Sequence, residues 1–493
     1  MYPVTARAAA GGFSPPVRLL SSPGACPVFV PPDCRQPPIT AERADMRPIT
    51  VTGFVLLLLV LCGAGWGNAS GAETPEQKSE RIRWWREARF GMFIHWDPVC
   101  LKGTEISWSR GGERLGIGGK GEIPVDVYDN LYRQFDPVKF SAAEWVGIAK
   151  AAGMKYMVLT AKHCDGFCMW RSDVDGYCMS ATPFRRDVCG ELASAAHDSG
   201  MRIGWYYSPM DWRDPDCRTE RNEVYLKKMR GHLRELLGNY GRIDLLWFDY
   251  DGGPNPWDQA NTYALVRSMQ PAIVMDERLF LGPYKENDPD RIDDRADYRT
   301  PEQKVGVFDI AIPWETCMTI GTQWSWKPAD TIKTAGECVR ILVACATGDG
   351  NLLLDVGPMP DGRIEPRQVE VLKGIGAWLG KYGESIYGTR GGPFRNGDWG
   401  GSTRKGNVIY VHVARWTHRE LRLPPMDARI TGSSVLTGGT VAVEQTAEGI
   451  TLRAQHPSRD EYETLVRLDL DRPAADVPVL DVPSTGKIDA GKN

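Results

Sequence analysis

Residues 243–253 read IDLLWFDYDGG. The apolar stretch LLWF at 245–248 breaks off at a carboxylate, Asp249, and a glycine-containing loop follows. A hydrophobic strand that carries an acid to its own carboxyl end is how barrel enzymes present a reactive group, because the loops after the strands build the site.

Upstream of that strand the pattern repeats. Phe90 to Trp96 reads as a first strand. Ser141 to Ala152 predicts a helix that opens with a capping box, Ser141 to Glu144, and closes at Gly153. Tyr156 to Thr160 is the next strand, Asp187 to Ser199 a second amphipathic helix stopped by Gly200, and Arg202 to Tyr207 a third strand. A long helix then places Tyr225, Leu226, Met229, Leu233, Leu236 and Leu237 on one face and ends by Gly241. Later strands are expected at Ala272 to Met275 and Asn351 to Val356. Strands alternating with helices imply a parallel sheet, and their number up to residue 388 suits an α/β fold of (β/α)₈, or TIM-barrel, type. After Tyr387 the runs shorten and alternate, as in Val408 to Val413 and Thr440 to Val443, with glycine-rich turns between them. That is the signature of an antiparallel β-sandwich. The expected organisation is a barrel over 73–388, a C-terminal sandwich over 389–472 that braces it, and a flexible tail over 473–493.

The first 45 residues, rich in Pro, Ala, Arg and Ser, suggest disorder or a misplaced start. Met46 reads as the better start, because Arg47, the apolar run Val55 to Leu61 and the small residues around 69–72 together make a cleavable export segment over 46–72. The run is too short to span a bilayer, so the mature chain is expected to be exported, periplasmic or extracellular, without a membrane span.

Composition narrows the function classes. The 493 residues, 42% hydrophobic and 25% charged, are enough for a large core plus an accessory domain. A net charge of −4 argues against a nucleic-acid partner. The 17 Trp suit either a large core or the stacking of sugar rings. Nine Cys lie beyond the export segment without a CxxC pair, and Cys164, Cys168, Cys178 and Cys189 beside His163 fit no common zinc spacing, so neither a metal nor a disulfide framework is assigned.

The informative polar residues fall at strand ends. His95 closes FGMFIHW, His163 follows YMVLTAK, Tyr206 and Tyr207 close RIGWYY, Trp247 and Asp249 close the strand quoted above, and Arg278 ends AIVMDER. With no phosphate-cradling glycine loop and no metal triad, the chemistry on offer is that of carboxylates among His, Arg and Tyr around a polyhydroxylated substrate. Two carboxyl groups about 5 Å apart would make a retaining glycosidase.

These residues resemble glycoside hydrolase family 29, the retaining α-L-fucosidases. The resemblance runs from about Trp84 to Arg390, through RFGMFIHW at 89–96, FDPVKFSAAEW at 135–145, KHCDGFCMW at 162–170 and GWYYSP at 204–209, then LLWFDYDGG at 245–253, TPEQ at 300–303, WETCMTI at 314–320 and NLLLDVGPMPDG at 351–362. It implies a barrel with a C-terminal β-sandwich and an exo-acting enzyme that releases terminal α-L-fucose from a fucosylated glycan through a covalent fucosyl-enzyme ester, with no cofactor and no metal. Asp249 matches the nucleophile and Trp247 the wall beside it. His95 and His163 match histidines that bind fucose hydroxyls, Tyr206 or Tyr207 the tyrosine near the nucleophile, and Arg278 a pocket arginine. Cys164 stands where the family commonly has a second histidine, and Glu105 with Trp108 where many members place a sugar-contacting glutamate near tryptophan. The acid/base lies on a variable loop; Glu302 in TPEQ is the first choice, Glu315 in WETC the second, and Glu277, Glu286 and Asp276 come next. Two alternatives stay open: a related retaining hydrolase or transglycosylase for a galactose-like sugar, and a glycan-binding barrel without activity.

Overall fold

The structure, a computed structural model, describes residues 73–112, 120–249, 256–280, 294–456, 460 and 462–483. The export segment read at 46–72, the residues before it and Glu286 lie outside the described residues.

The chain begins with α1 (Pro75–Ala88), capped by a reciprocal Thr74–Gln77 box, then β1 (Phe90–Ile94). A short helix, α2 (Val125–Tyr128), precedes α3 (Ala142–Ala151), whose N-cap Ser141 accepts from Glu144 N; of the box expected there, only this half forms. Then come β2 (Tyr156–Lys162), α4 (Val188–Asp198), β3 (Arg202–Tyr207), α5 (Asn222–Gly238), β4 (Leu245–Phe248), α6 (Gln259–Met269) and β5 (Val274–Met275). β6 (Glu315–Thr319), α7 (Ala335–Thr347), β7 (Asn351–Val356) and α8 (Pro366–Tyr382) complete the first half. All six residues of the expected apolar face of α5 are buried.

These seven strands form one parallel sheet in the order β5-β4-β3-β2-β1-β7-β6. Isolated parallel pairs along 297–303 join its two edges: Asp276 with Tyr298 on the β5 side, Arg299 with Trp314 and Glu302 with Cys317 on the β6 side. The ring therefore closes through an irregular eighth strand. Pro301 explains part of the irregularity, since its nitrogen cannot donate to a ladder.

Side-chain alternation sorts residues between lumen and helix layer. Phe93, Val158, Tyr206, Leu245, Trp247, Val274, Cys317 and Leu353 pack together inside the ring, and Ile82, Trp85 and Ala88 of α1 pack with them and plug its amino-terminal end. Tyr156 fills this lower layer so tightly that a Cβ on its neighbour Gly91 would sit 2.4 Å from its ring. Met92, Ile94, Leu159, Ile203, Trp205, Tyr207, Leu246, Phe248, Leu352 and Leu354 face outward and bury against the helices.

Beyond α8 lie two antiparallel sheets. The strands are β8 (Arg390–Gly391), β9 (Gly400–Lys405), β10 (Val408–Val413), β11 (Glu420–Leu423), β12 (Ile430–Val435), β13 (Thr440–Thr446), β14 (Gly449–His456) and β15 (Thr464–Leu470). They are ordered β12-β15-β10-β9-β8 and β11-β14-β13, with Ile409, Val411, Val413, Leu421, Ile450, Leu452, Val466 and Leu468 in a shared core. On the opposite face of β9 and β10, Tyr410 donates to Glu384 at 2.9 Å and Thr403 to Ser385 O at 2.6 Å, just past α8. Both faces of the larger sheet are thus in use.

The expected loose tail needs correction over 473–483. Ala474 and Val477 are buried in the sandwich core, and Leu480 exchanges backbone bonds with Pro393 O (2.8 Å) and Arg395 N (2.9 Å). Val477, Leu480 and Val482, apolar residues spaced along a polar tail, pack on that core; residues 484–493 lie outside the described residues. Among the described residues no helix is long and apolar enough to cross a membrane.

Candidate active site

Period-two alternation along β4 sends Leu245 and Trp247 into the lumen, so Asp249, two residues on, continues on that side at the carboxyl-terminal rim. Its backbone N donates to Tyr207 O at 3.3 Å, prolonging the β3–β4 pairing past the strand. Its carboxylate meets two donors: Arg278 Nη1 lies 2.8 Å from Oδ1, and Tyr206 OH donates to Oδ2 at 2.5 Å.

Arg278 also places Nη2 at 2.8 Å from Glu302 Oε2. One guanidinium therefore holds both acids, with the Asp249 side chain 25% exposed, that of Glu302 42% and its own 12%. Glu302 reaches the rim because the closing strand carries it there, beside β6. Arg278 Nε donates to Thr300 Oγ1 and Nη2 to Thr300 O, so the cation is anchored on that same strand.

The wall behind these acids is a stack that follows the strand order. His163 lies parallel to Tyr206 at 5.2 Å, Tyr206 stacks on Trp247 at 5.6 Å, and Arg278 Cζ lies 4.6 Å from the Trp247 ring centre. Phe93 leans on Trp247 and on His95, and Trp324, from the loop after β6, covers His95 at 4.7 Å. His95 Nδ1 sits 2.7 Å from Asp355 Oδ1 on β7. Burial holds both histidines below their usual range, His95 the more so with His163 close by, and they stand uncharged.

Several expected site residues are placed differently. Tyr207 points outward: its OH pairs with His232 Nδ1 of α5 at 3.1 Å, and only Tyr206 enters the lumen. Alternation forces this, because adjacent residues of one strand cannot face the same pocket. Glu315 is the first residue of β6 and lies fully buried at the plugged end, accepting from Tyr156 OH and from Trp85 Nε1 (3.1 Å). As an acid/base at the rim it is ruled out by position. Burial raises its carboxyl to about 7. Asp276 and Glu277 are buried too and spend one oxygen each on the framework, Asp276 on Phe248 N (3.1 Å) and Glu277 on Thr300 N (2.9 Å).

Glu105 lies near the site, but both of its oxygens are taken by backbone donors. Oε2 accepts from Trp324 N at 3.0 Å, and Oε1 from Ile106 N at 3.0 Å and Ser325 N at 3.2 Å. It fixes the loop that carries Trp324 over His95. Trp108 is 41% exposed and meets Trp212 edge-on at 5.4 Å. Cys164 is buried with Sγ 3.1 Å from Ser208 Oγ, and Ser208 Oγ in turn donates to Asp249 O at 3.2 Å. Burial pushes the Cys164 thiol well up, so it stays neutral beside the acid.

Residue-by-residue reading missed Trp324, Asp355, and the group Ser107, Tyr128 and Asp165 behind His163. Trp324 in TQWSW follows a strand end and carried that much signal. Among the described residues, Cys168, Asp175 and His232 are the metal-type donors that come together, within 4.8 Å of one another. They lie on the helix side of the sheet, and Lys228 already pairs with Asp175.

A plugged parallel barrel with two acids on one rim, a buried cation between them and an aromatic wall is the build of a glycoside hydrolase. A family model described as alpha-L-fucosidase matches residues 68–384. The chain is similar to human plasma alpha-L-fucosidase, 30% identical over 364 residues that cover 68% of this chain and 76% of the relative. It is similar in structure to alpha-L-fucosidase isoenzyme 1 from Paenibacillus thiaminolyticus, with a TM-score of 0.71 at 32% identity, covering 80% of this chain and 99% of that one. A GH29 alpha-L-fucosidase from Bacteroides thetaiotaomicron, trapped as a covalent intermediate with 2-fluoro-fucosyl fluoride in a Glu-to-Gln mutant, gives a TM-score of 0.69 at 26% identity over 79% of this chain and 96% of that one. The chain belongs to the α-L-fucosidase family, glycoside hydrolase family 29.

Proposed function

We propose that this protein is an exo-acting retaining α-L-fucosidase that removes terminal α-L-fucose from fucosylated glycans, with Asp249 as nucleophile and Glu302 as acid/base. The observation that carries the assignment of roles is the Arg278 bridge, with 2.8 Å contacts to each acid. Double displacement calls for two carboxyl groups about 5 Å apart, and a shared guanidinium keeps Asp249 and Glu302 close together.

In the first step Asp249 attacks C1 of fucose, the bond from C1 to the glycosidic oxygen breaks, and Glu302 gives that oxygen its proton. In the second, Glu302 takes a proton from water, which attacks C1 and breaks the ester with retention. Arg278 links the two acids, since one guanidinium binds both carboxyl groups. After Asp249 is esterified, Glu302 stays at the rim to serve as the base of the second step. Trp247 offers an apolar flank, and His95 and His163 offer uncharged ring nitrogens to hydroxyls. The apolar run and small residues at 46–72 support export to the periplasm or beyond.

Nitrophenyl α-L-fucoside tests this directly: NMR should show the α-anomer of fucose as first product. Glu302→Ala should slow natural fucosides by roughly 10²–10⁴-fold, aryl fucosides with good leaving groups far less, and azide should restore the rate. Cleavage of nitrophenyl β-D-galactoside with no action on the α-L-fucoside would sink the assignment.

A further inference from the structure

His163 Nδ1 lies 2.6 Å from Ser107 Oγ, and that hydroxyl has two further partners. Asp165 N donates to it at 2.9 Å, and it donates to Asp165 Oδ2 at 2.8 Å. Serine has one proton to give. Were that proton turned toward His163, Ser107 Oγ and Asp165 Oδ2 would face each other lone pair to lone pair at 2.8 Å. The proton must sit on the Asp165 side, so the hydrogen between Ser107 and the ring belongs to His163 Nδ1.

The surroundings keep Asp165 an acceptor. Tyr128 OH donates to Oδ2 at 2.8 Å and Phe167 N to Oδ1 at 3.0 Å. Asp97, buried close by, is the carboxyl that takes up a proton: burial and the charge of Asp165 push it well above the usual range, while Asp165 is held below it by its donors. The backbone is bent to suit, because Ser107 adopts φ +53°, a region that non-glycine residues enter at a cost, and its N–H is bound to Tyr128 OH at 2.9 Å. Ser107, Asp165 and the His163 ring are all buried.

We propose that Ser107 and Asp165 are positioning residues that lock His163 as the Nδ1–H tautomer, so that its bare Nε2 meets the sugar as an acceptor and selects a substrate hydroxyl that donates there. Nε2 has no protein partner among the described residues, which leaves it to the ligand. The substrate side of this inference rests on the fucosidase reading; the tautomer does not. An acceptor at this point favours a free hydroxyl and disfavours a sugar methylated or esterified at that oxygen.

The test is ¹⁵N NMR of the full protein with ring-labelled histidine, practical with 7 His in the chain. Wild type should show His163 protonated at Nδ1 and bare at Nε2, without any substrate present. Ser107→Gly keeps the positive φ at no steric cost and removes the hydroxyl. It should move the proton to Nε2 and lower kcat/KM for an aryl fucoside about 10-fold or more, as expected for a lost hydrogen bond to substrate. A wild-type ring bare at Nδ1 would overturn the proposal, as would a Ser107→Gly protein whose tautomer changes while kcat/KM does not. Failure of wild type to cleave any fucoside would instead count against the enzyme assignment and leave the tautomer result readable.

Discussion

The two ends of the barrel handle an acid in opposite ways. At the plugged end Glu315 is met by neutral donors, Tyr156 OH and Trp85 Nε1, and burial drives it toward the protonated form. At the open rim Asp249 is met by a guanidinium and a phenol and is partly exposed. The first arrangement suits a group that must stay put, the second a group that must react. The difference shows that a carboxylate's place along a barrel strand, more than its depth in the sequence motif, decides what it can do.

The contrast is broken most severely at the rim. Asp249→Asn keeps the size of the side chain and removes one carboxylate oxygen; with Asp249 as the proposed nucleophile, kcat should fall by on the order of 10⁴-fold or more, with circular dichroism unchanged. Turnover near the wild-type rate would end the comparison. A finer break uses adjacent tyrosines. Tyr206→Phe removes a donor to Asp249 Oδ2 and should lower kcat/KM about 10–100-fold, the value of a hydrogen bond to a charged group. Tyr207→Phe should leave turnover within about 3-fold and lower stability by about 1 kcal/mol, since its hydroxyl bonds on the helix side, to His232, and not in the lumen. Denaturant melts and kinetics on both variants check this.

Glu315→Gln should affect turnover least and stability in a pH-dependent way. With its carboxyl raised from 4.5 to about 7, the folded protein keeps a proton that the unfolded chain releases. This group's contribution is complete below pH 4.5 and is lost as pH rises through 7. Removing it should flatten the decline of melting temperature across that window, and an unaltered slope would mean that Glu315 does not titrate there.

Much of this was legible beforehand, and the reasons are local. Runs such as RIGWYY and NLLLDV are strands with the expected bounds because large apolar residues fill them on both faces, as in a buried parallel sheet. Asp249 was legible because it ends such a run. Choosing between Tyr206 and Tyr207 needed the register that sets Tyr206 opposite Trp247. The work of Glu105 was not legible, since its partners are backbone donors of Trp324 and Ser325, more than 200 positions away. Nor was the closing strand at 297–303, which has few residues of strand type, or the docking of 473–483, whose apolar residues are spaced among prolines and acids.

Because a single guanidinium serves two acids, neither can be altered in isolation. Deleting Asp249 leaves Arg278 to Glu302 and Thr300, and deleting Glu302 leaves it to Asp249 and Thr300, so each single variant also changes the surroundings of its survivor. Effects measured one at a time will not add, and only a double-mutant cycle through Arg278 can apportion them. Attempts to turn the enzyme toward synthesis by removing its nucleophile will meet the same linkage, and the acid left behind will need a new neighbour to restore its balance.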